Sequence, residues 1–183
     1  MFKFVIEKMT AMNTNNVYLR NAKSEFLRYK SLGDKSIEQL EPGQLFFANN
    51  DDSNSIAVIV KHMHGNMISR WTNFLTTDGE KPWRKRDAEF KNTINDKQEV
   101  LKQWEEGWAC LFAAIDPLSD EQLSTIVYIR NEAHTVMEAI NRQLTHYAYH
   151  VGQIVFVAKQ LKKGEWNTLS IAKNKSKEFN AKM

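Results

Sequence analysis

Apolar residues recur at helical spacing in four long segments of this chain, and polar residues fill the positions between them. In the first segment, Leu19, Ala22 and Phe26 follow one another at steps of three and four residues. Ser53 or Asn54 is the expected N-cap of the second segment. The pattern predicts four long helices, with approximate bounds Asn15–Leu40, Ser53 or Asn54 to Leu75, Asp96–Ile115 and Glu132–Lys163.

The connections between these helices are long and polar, and the longest irregular one contains TTDGEKPWRKRDAEF. The segment STIVYIR could form a short strand or an extended piece. The tail, about residues 164–183, is predicted to be irregular, with four apolar residues that fold it back: Trp166, Leu169, Ile171 and Phe179. Only 7 Gly and 3 Pro occur, and no Pro/Gly/Ser-rich linker divides the chain. We therefore predict an all-α fold, a four-helix bundle with long connections in a single domain over residues 1–183.

The composition is that of an ordinary soluble globular protein, with 42% hydrophobic and 26% charged residues. The formal net charge of +3, without a dense basic stripe, argues against a nucleic-acid partner. The longest apolar runs fall well short of the roughly 18 residues that a membrane span needs. We therefore expect no membrane partner and a cytoplasmic location. The single cysteine excludes an intrachain disulfide and a cysteine-rich zinc site.

Two of the 5 histidines, His146 and His150, stand four residues apart in the fourth predicted helix. Residues at this spacing differ by about 40° in azimuth and about 6 Å in rise, so both imidazoles point the same way and can meet one metal ion. Any helix that contains HxxxH has this geometry. Two half-buried or surface histidines are the commoner explanation of the pair taken alone.

A third ligand must come from another helix, and the second helix offers His62 and His64. These two histidines face opposite ways, because two residues turn a helix by about 200°. His62 follows the apolar Ile59 at helical spacing, which favours it as the ligand; the alternative is a core histidine bonded to a carbonyl or side chain. His134 lies about 120° off the face of His146 and is interpreted as a helix-start residue, structural or at a pocket rim.

Three neutral imidazoles, from His62, His146 and His150, suit zinc, nickel or another late divalent ion. Such a ligand set leaves coordination positions for water or substrate, and an incompletely filled shell is typical of a catalytic site. A metal in this setting lowers the pKa of bound water or activates a thiolate. The sequence therefore predicts a three-histidine site for a divalent metal cofactor, zinc or nickel.

Four stretches carry a resemblance to known proteins: VKHMHGNMISRW, FLTTDGEKPWRKRDAEF, INRQLTHYAYHVGQIVFVAKQL and WNTLSIAKNKSKEFN. With the helix pattern they cover nearly the whole chain. The chain resembles the DinB-like superfamily of bacterial four-helix-bundle metalloproteins, and within it a family of unknown function. The superfamily pattern, one histidine in the second helix and HxxxH in the fourth, falls on His62, His146 and His150.

The resemblance implies a homodimer, which is a common arrangement in the superfamily. It also suggests an activity, because the superfamily includes thiol S-transferases that use bacillithiol or mycothiol and a maleylpyruvate isomerase that uses a low-molecular-weight thiol. The family of unknown function within the superfamily, which the chain resembles more closely, suggests no activity. No separate general base of the superfamily maps onto this chain.

Two polar residues of the second helix and one of the fourth could reach the metal site. Asn66 and Arg70 lie one and two turns after His62, and Gln153 lies three residues after His150. Each could bridge helices as readily as touch a substrate. We regard Asn66, Arg70 and Gln153 as candidate substrate-binding residues on this basis.

The long loop before the third helix contributes two further candidates, Arg84 and Arg86. Guanidinium groups suit the carboxylate or phosphate of a substrate, and the loop would then rim the metal pocket. Asp78, Glu80 and Glu89 could instead pair with these arginines and pin the loop. This structural interpretation is slightly favoured, because surface charge clusters are usually solvated or mutually paired.

Together these features favour a metal-dependent enzyme that activates a low-molecular-weight thiol, as an S-transferase, or water, as a hydrolase, for attack on a small electrophile. The first alternative is a non-catalytic metal-binding or stress-response bundle, in which the three histidines staple the helices. The second alternative is a helical interaction module without a metal.

Overall fold

Four long helices form most of the structure, a computed structural model that describes residues 17–181. In chain order the helices are α1 (Val17–Glu38), α2 (Ile56–Trp71), the short α3 (Arg86–Glu89), α4 (Lys97–Ile115), α5 (Val136–Leu161) and the short α6 (Ser176–Asn180). The prediction of an all-α fold is confirmed, while the predicted helix start at about Asn15 lies outside the described residues. Within residues 17–181, no helix is both long and apolar enough to cross a lipid bilayer.

The long helices pack in a ring, with α1 on α5, α5 on α2, α2 on α4 and α4 on α1. Each contributes a large aromatic side chain to the buried core: Phe26, Trp71, Trp108 and Tyr147. The ring centroids of Phe26 and Trp108 lie 6.4 Å apart in an edge-to-face arrangement, which aromatic pairs favour. Because α2 and α5 are neighbours in this ring, the histidines of these two helices can meet.

Side-chain caps mark the beginning of α2 and of α4. Asp96, where the third long helix is predicted to start, is the N-cap of α4. Its carboxylate accepts hydrogen bonds from backbone N–H groups of the first turn. At α2 the hydroxyl of Ser55 accepts from the N–H of Val58 at 3.2 Å. The predicted N-caps, Ser53 and Asn54, are therefore wrong by two residues and by one residue. The N-cap is the buried Ser55, because its hydroxyl reaches a free N–H group of the first turn.

A β-hairpin stands between α4 and α5, where the sequence allowed either a strand or an extended piece. Strand β1 (Ile126–Ile129) pairs antiparallel with β2 (Glu132–Thr135). The predicted start of the fourth helix at about Glu132 is therefore wrong, because residues 132–135 belong to the ladder and Thr135 caps α5 through a capping box with Glu138. His134 accordingly lies on β2 and not on the helix.

The hairpin anchors the long connection between α2 and α3. The Asp78 carboxylate accepts hydrogen bonds from the backbone N–H of Arg130 at 2.9 Å and of Asn131 at 2.7 Å. The N–H of Gly79 donates to the carbonyl of Tyr128 at 2.8 Å. These bonds hold the connection against the hairpin turn, so that side chains from both segments can face the same space.

The tail after α5 is mostly irregular, as predicted, apart from the short α6. Trp166 is partly buried against the core, and Leu169 is half-buried. Ile171 and Phe179 are 42% and 44% exposed, so the prediction that they fold the tail back is wrong. The tail of the described chain therefore packs through its beginning and not through α6.

Candidate metal centre

The imidazoles of His62, His146 and His150 meet between α2 and α5. The Nε2 atom of His146 lies 3.4 Å from Nε2 of His62 and 3.0 Å from Nε2 of His150. The candidate ligand atoms of the three residues all lie within 4.8 Å of one another. Nitrogen ligands bind zinc at about 2.0–2.1 Å, which requires separations of this order. The structure thus brings the three predicted histidines close enough to bind one metal ion.

Side-chain oxygen atoms orient two of the imidazoles by contacting Nδ1, the ring nitrogen that faces away from the other histidines. Nδ1 of His62 lies 2.9 Å from Oε2 of Glu89, and Nδ1 of His150 lies 3.0 Å from Oε1 of Gln153. An oxygen acceptor at Nδ1 fixes the ring and leaves Nε2 free to bind a metal, which is the usual arrangement around metal-bound histidines. Gln153, a predicted substrate-binding residue, therefore contacts a candidate ligand from behind.

Glu89 is itself held by the loop before α3. The guanidinium of Arg84 donates to both carboxylate oxygens of Glu89, at 2.8 and 2.9 Å. Burial acts to raise the pKa of Glu89, but hydrogen bonds from Arg84 and His62 outweigh it and hold that pKa below its ordinary value. Gly65 of α2 leaves room for this carboxylate, because a Cβ at Gly65 would overlap it. Arg84 of the loop thus holds the ionised carboxylate of Glu89, a residue of α3, against His62.

The surroundings keep two of the imidazoles neutral. Burial, followed by the neighbouring imidazoles of His150 and His62, lowers the pKa of His146 to about 3. Burial is also the main cause that lowers the pKa of His150 to about 4. Since the neutral imidazole is the form that binds metals, protons compete weakly for these two positions near pH 7.

A cavity of about 240 Å³ opens beside the histidines, with His62 and His146 in its wall. The amides of Asn66 and Gln143 also line it. Five arginines complete the lining: Arg70, Arg84, Arg86, Arg130 and Arg142. Within the described residues, no carboxylate contributes to the wall of this cavity. The predicted candidates Asn66, Arg70, Arg84 and Arg86 thus share one space next to the candidate ligands.

The other two histidines lie apart from this site. His64 faces away from His62, and its Nε2 lies 3.4 Å from Oε2 of Glu106 on α4. Nε2 of His134 lies 3.8 Å from a carboxylate oxygen of Glu132 on the same strand. The preference for His62 over His64, which rested on the direction in which each side chain points, agrees with this arrangement.

Comparison with known families adds one assignment. The sequence profile of a family described as protein of unknown function (DUF1572) matches residues 13–175. The chain belongs to this family. No functionally curated protein shows significant similarity to it. The DUF1572 match includes all three histidines and every residue that lines the cavity. The predicted resemblance to a family of unknown function is thereby confirmed, and membership of the DinB-like superfamily stays a prediction.

Three residues of the site in this DUF1572 protein, Glu89, Arg130 and Gln143, are not predicted to act there, and a fourth, Arg142, is predicted from its spacing before His146 either to bridge helices or to touch a substrate. The sequence indicates Glu89 only as a partner for an arginine, since its contact with His62 depends on the path of the loop. Arg130 enters from the hairpin turn, and no local pattern points to it. Arg142 and Gln143 lie about one turn before His146 on α5, and the four-residue spacing of Arg142 is the one signal that places it near the site.

Proposed function

We propose that this protein binds one divalent metal ion, zinc or nickel, through His62, His146 and His150 and acts as a metal-dependent enzyme. In the proposed reaction a low-molecular-weight thiol, or water as the second choice, attacks an electrophilic small molecule. One observation carries the proposal, the convergence of three Nε2 atoms, with two separations of 3.4 and 3.0 Å, at the wall of a cavity.

The protons on the imidazoles support a cation at this point. Nδ1 of His62 and Nδ1 of His150 each face an oxygen acceptor, so the neutral form of each ring, which is the form that binds metals, carries its proton on Nδ1 and a lone pair on Nε2. Of the three Nε2 atoms, only that of His146 could then carry a hydrogen. That hydrogen could bond to the lone pair of His62 or to that of His150, but not to both. A divalent ion would satisfy all of them, so the residues present fit the proposed metal.

The open side of such a site would be the reaction space. Three protein ligands leave at least one coordination position for a reactant, and the cavity provides room next to His62 and His146. A divalent ion bound there supplies Lewis-acid chemistry that lowers the pKa of a thiol or water and so makes a nucleophile available at neutral pH. Glu89 and Gln153 hold two of the ligand rings in position for this role.

The lining of the cavity favours a thiol over water as the nucleophile. Among residues 17–181 no carboxylate lines the cavity, and the nearby Glu80 and Glu89 are engaged by arginines, so no general base for a water molecule stands ready. A thiol has a pKa of about 8.5, far closer to neutrality than the value of about 15.7 for bulk water. Neighbouring guanidinium groups further stabilise a thiolate. The resemblance to the DinB-like superfamily, with its thiol transferases, supports the same choice.

Metal analysis and a thiol-transfer assay test the proposal together. We expect protein purified without chelators, or reloaded with Zn²⁺ or Ni²⁺, to hold about one ion per chain. The loaded protein should couple a low-molecular-weight thiol to an aromatic electrophile with a chromogenic product. His62→Ala should abolish both properties, whereas His64→Ala, two residues away but outside the site, should retain them.

Two results would contradict the proposed function. If the protein retains no metal after such loading, the three-histidine site is wrong. If the loaded protein binds no thiol and transforms no electrophile, the catalytic role is wrong. In that case a large fall in melting temperature on His62→Ala would favour a non-catalytic metal-binding bundle, in which the ion staples α2 to α5.

A further inference from the structure

The cavity beside the three histidines contains more positive charge than its surroundings neutralise. Arg84 pairs with both Glu80 and Glu89, and Arg130 pairs with Glu80. The other three arginines of the wall form no ion pair within the described part of the chain: Arg70, Arg86 and Arg142. A small space with an excess of guanidinium groups attracts an anion.

Arg70 is the buried member of this unpaired group. The residue is only 5% exposed, and its Nε and Nη1 atoms have no hydrogen-bond partner among residues 17–181. A Cβ on Gly79 would lie 2.6 Å from Nη1 of Arg70, so a glycine is what lets the loop pass this guanidinium so closely. Burial lowers the pKa of Arg70, which reflects the cost of holding this charge away from water. An oxyanion in the cavity would offset this buried charge.

Asn66 presents a further donor to the same space. The indole N–H of Trp71 donates to the Tyr147 hydroxyl at 3.1 Å, and that hydroxyl donates to Oδ1 of Asn66 at 3.0 Å. Burial raises the pKa of Tyr147, so its hydroxyl stays protonated and able to donate. Because the amide oxygen of Asn66 is engaged by this relay, its NH₂ group remains to serve a ligand in the cavity.

The size of the cavity limits the ligand. Its volume of about 240 Å³ lies below the roughly 300–1,000 Å³ of typical ligand pockets, and its wall is polar and cationic where such pockets are mostly apolar. A small acid fits these properties, whereas a nucleotide or a peptide does not. Since His62 and His146 share the wall with Arg70, a short molecule could contact the metal site at one end and the arginines at the other.

From these contacts we infer that the cavity is the binding site for an oxyanion group, carboxylate or phosphate, of the small molecule on which the protein acts. Arg70 and Arg142 bind this group, and Asn66 donates a further hydrogen bond. That the other end of this ligand is an electrophilic group near the metal rests on the proposed function. Binding of the oxyanion itself does not, because the unpaired arginines require no metal.

Calorimetric titration of the full-length, chelator-treated protein tests the inference, with inorganic phosphate and malonate as separate probes. We expect at least one probe to bind, and the tighter one identifies the oxyanion class. Arg70→Met keeps much of the side-chain length but removes the charge, and should weaken that binding by roughly tenfold or more. Arg142→Met, at an exposed position, is the second variant if Arg70→Met fails to fold.

The matched control is Arg20→Met, which removes the same charge from an exposed position on α1. Weaker binding in the cavity variants with unchanged binding in the control supports the inference. The inference is overturned if neither probe binds the wild-type protein, or if the control loses as much affinity as the cavity variants. Intact anion binding without metal binding would refute the proposed function alone, and metal binding without anion binding would refute this inference alone.

Discussion

At the scale of single residues, the contact between His62 and Glu89 is the most specific feature of the site. A carboxylate at Nδ1 selects the tautomer that leaves Nε2 available to a metal and makes that nitrogen a stronger ligand. The distance of 2.9 Å and the burial of both side chains make this contact rigid. The Arg84 fork behind it keeps Glu89 ionised and in place.

Glu89→Gln should therefore weaken Zn²⁺ binding by about 10–100-fold, the usual cost of losing such a partner. Competition with a chromophoric chelator measures the change. The matched control is Glu106→Gln, because Glu106 stands beside the other histidine of α2, with an oxygen 3.4 Å from Nε2 of His64. Equal Zn²⁺ affinity in wild-type protein and Glu89→Gln would show that this carboxylate does not support the ligand.

The depressed pKa values of His146 and His150 predict how stability depends on pH in the metal-free protein. Their folded values of about 3 and about 4 lie below the ordinary imidazole value of about 6.5. As the pH falls below about 6.5, these imidazoles bind protons in the unfolded chain but not in the folded chain. Their contribution to the free energy of unfolding is therefore present above that pH and is lost progressively below it. Each imidazole can contribute up to about 1.4 kcal/mol per pH unit.

Urea unfolding in the presence of a chelator, between pH 7 and pH 5, measures this slope. His146→Gln should lower the slope by roughly the contribution of one imidazole. His134→Gln, which alters a histidine on the hairpin away from the site, is the control. A wild-type slope that His146→Gln leaves unchanged would contradict the prediction.

At the scale of elements, the site depends on how closely α3 approaches α2. Gly65 lies on the face of α2 that receives Glu89, and a side chain there would collide with the carboxylate. Gly65→Ala should push α3 away and weaken Zn²⁺ binding by roughly tenfold or more, since the partner of His62 is displaced. Chelator competition and thermal unfolding measure both effects.

A second helical glycine provides the control for this substitution. A Cβ at Gly152 of α5 meets no atom of the described chain within 4 Å, so Gly152→Ala should leave metal binding unchanged. It should also stabilise the protein by up to about 1 kcal/mol through helix propensity. If Gly65→Ala behaves like Gly152→Ala, the close approach of α3 to α2 is not required for the site.

The elements also differ in how far the sequence could predict them. The long helices have apolar positions at a period that can be read locally, and their predicted bounds differ from the observed ones by a few residues. The hairpin is different, because the pairing of Glu132–Thr135 with Ile126–Ile129 is a contact between two segments. Read alone, Glu132–Thr135 looks like a helix start, and only its partner strand makes it β2.

At the scale of the whole molecule, the same distinction between a local pattern and a contact of distant segments applies to the three histidines and to the cavity beside them. The ligand set could be predicted because two ligands share one helix face and the third lies on an inward-facing position of α2. The cavity could not, because its arginines come from α2, α5, the hairpin turn, the loop before α3 and α3 itself. Their meeting depends on how Asp78 ties that loop to the hairpin, a tertiary contact that no periodicity records.

The exposed aromatic residues of α5 bear on the homodimer that the resemblance implies, which stays a prediction. Tyr149 and Phe156 are 63% and 62% exposed and stand seven residues apart, so they lie on one face of the helix. Phe47, 51% exposed, lines the same groove as Phe156. Large apolar side chains grouped on a surface are costly in water and typical of interfaces between subunits.

Phe156→Lys should therefore convert a dimer to a monomer in light scattering after gel filtration, because each subunit would then have to bury an unpaired lysine in an apolar interface. Phe179→Lys, at a 44% exposed position on α6, introduces the same charge outside that face and should leave the mass unchanged. A wild-type protein that is monomeric at high concentration would refute the dimer. A dimer that survives Phe156→Lys but not Phe179→Lys would move the interface from α5 to the tail.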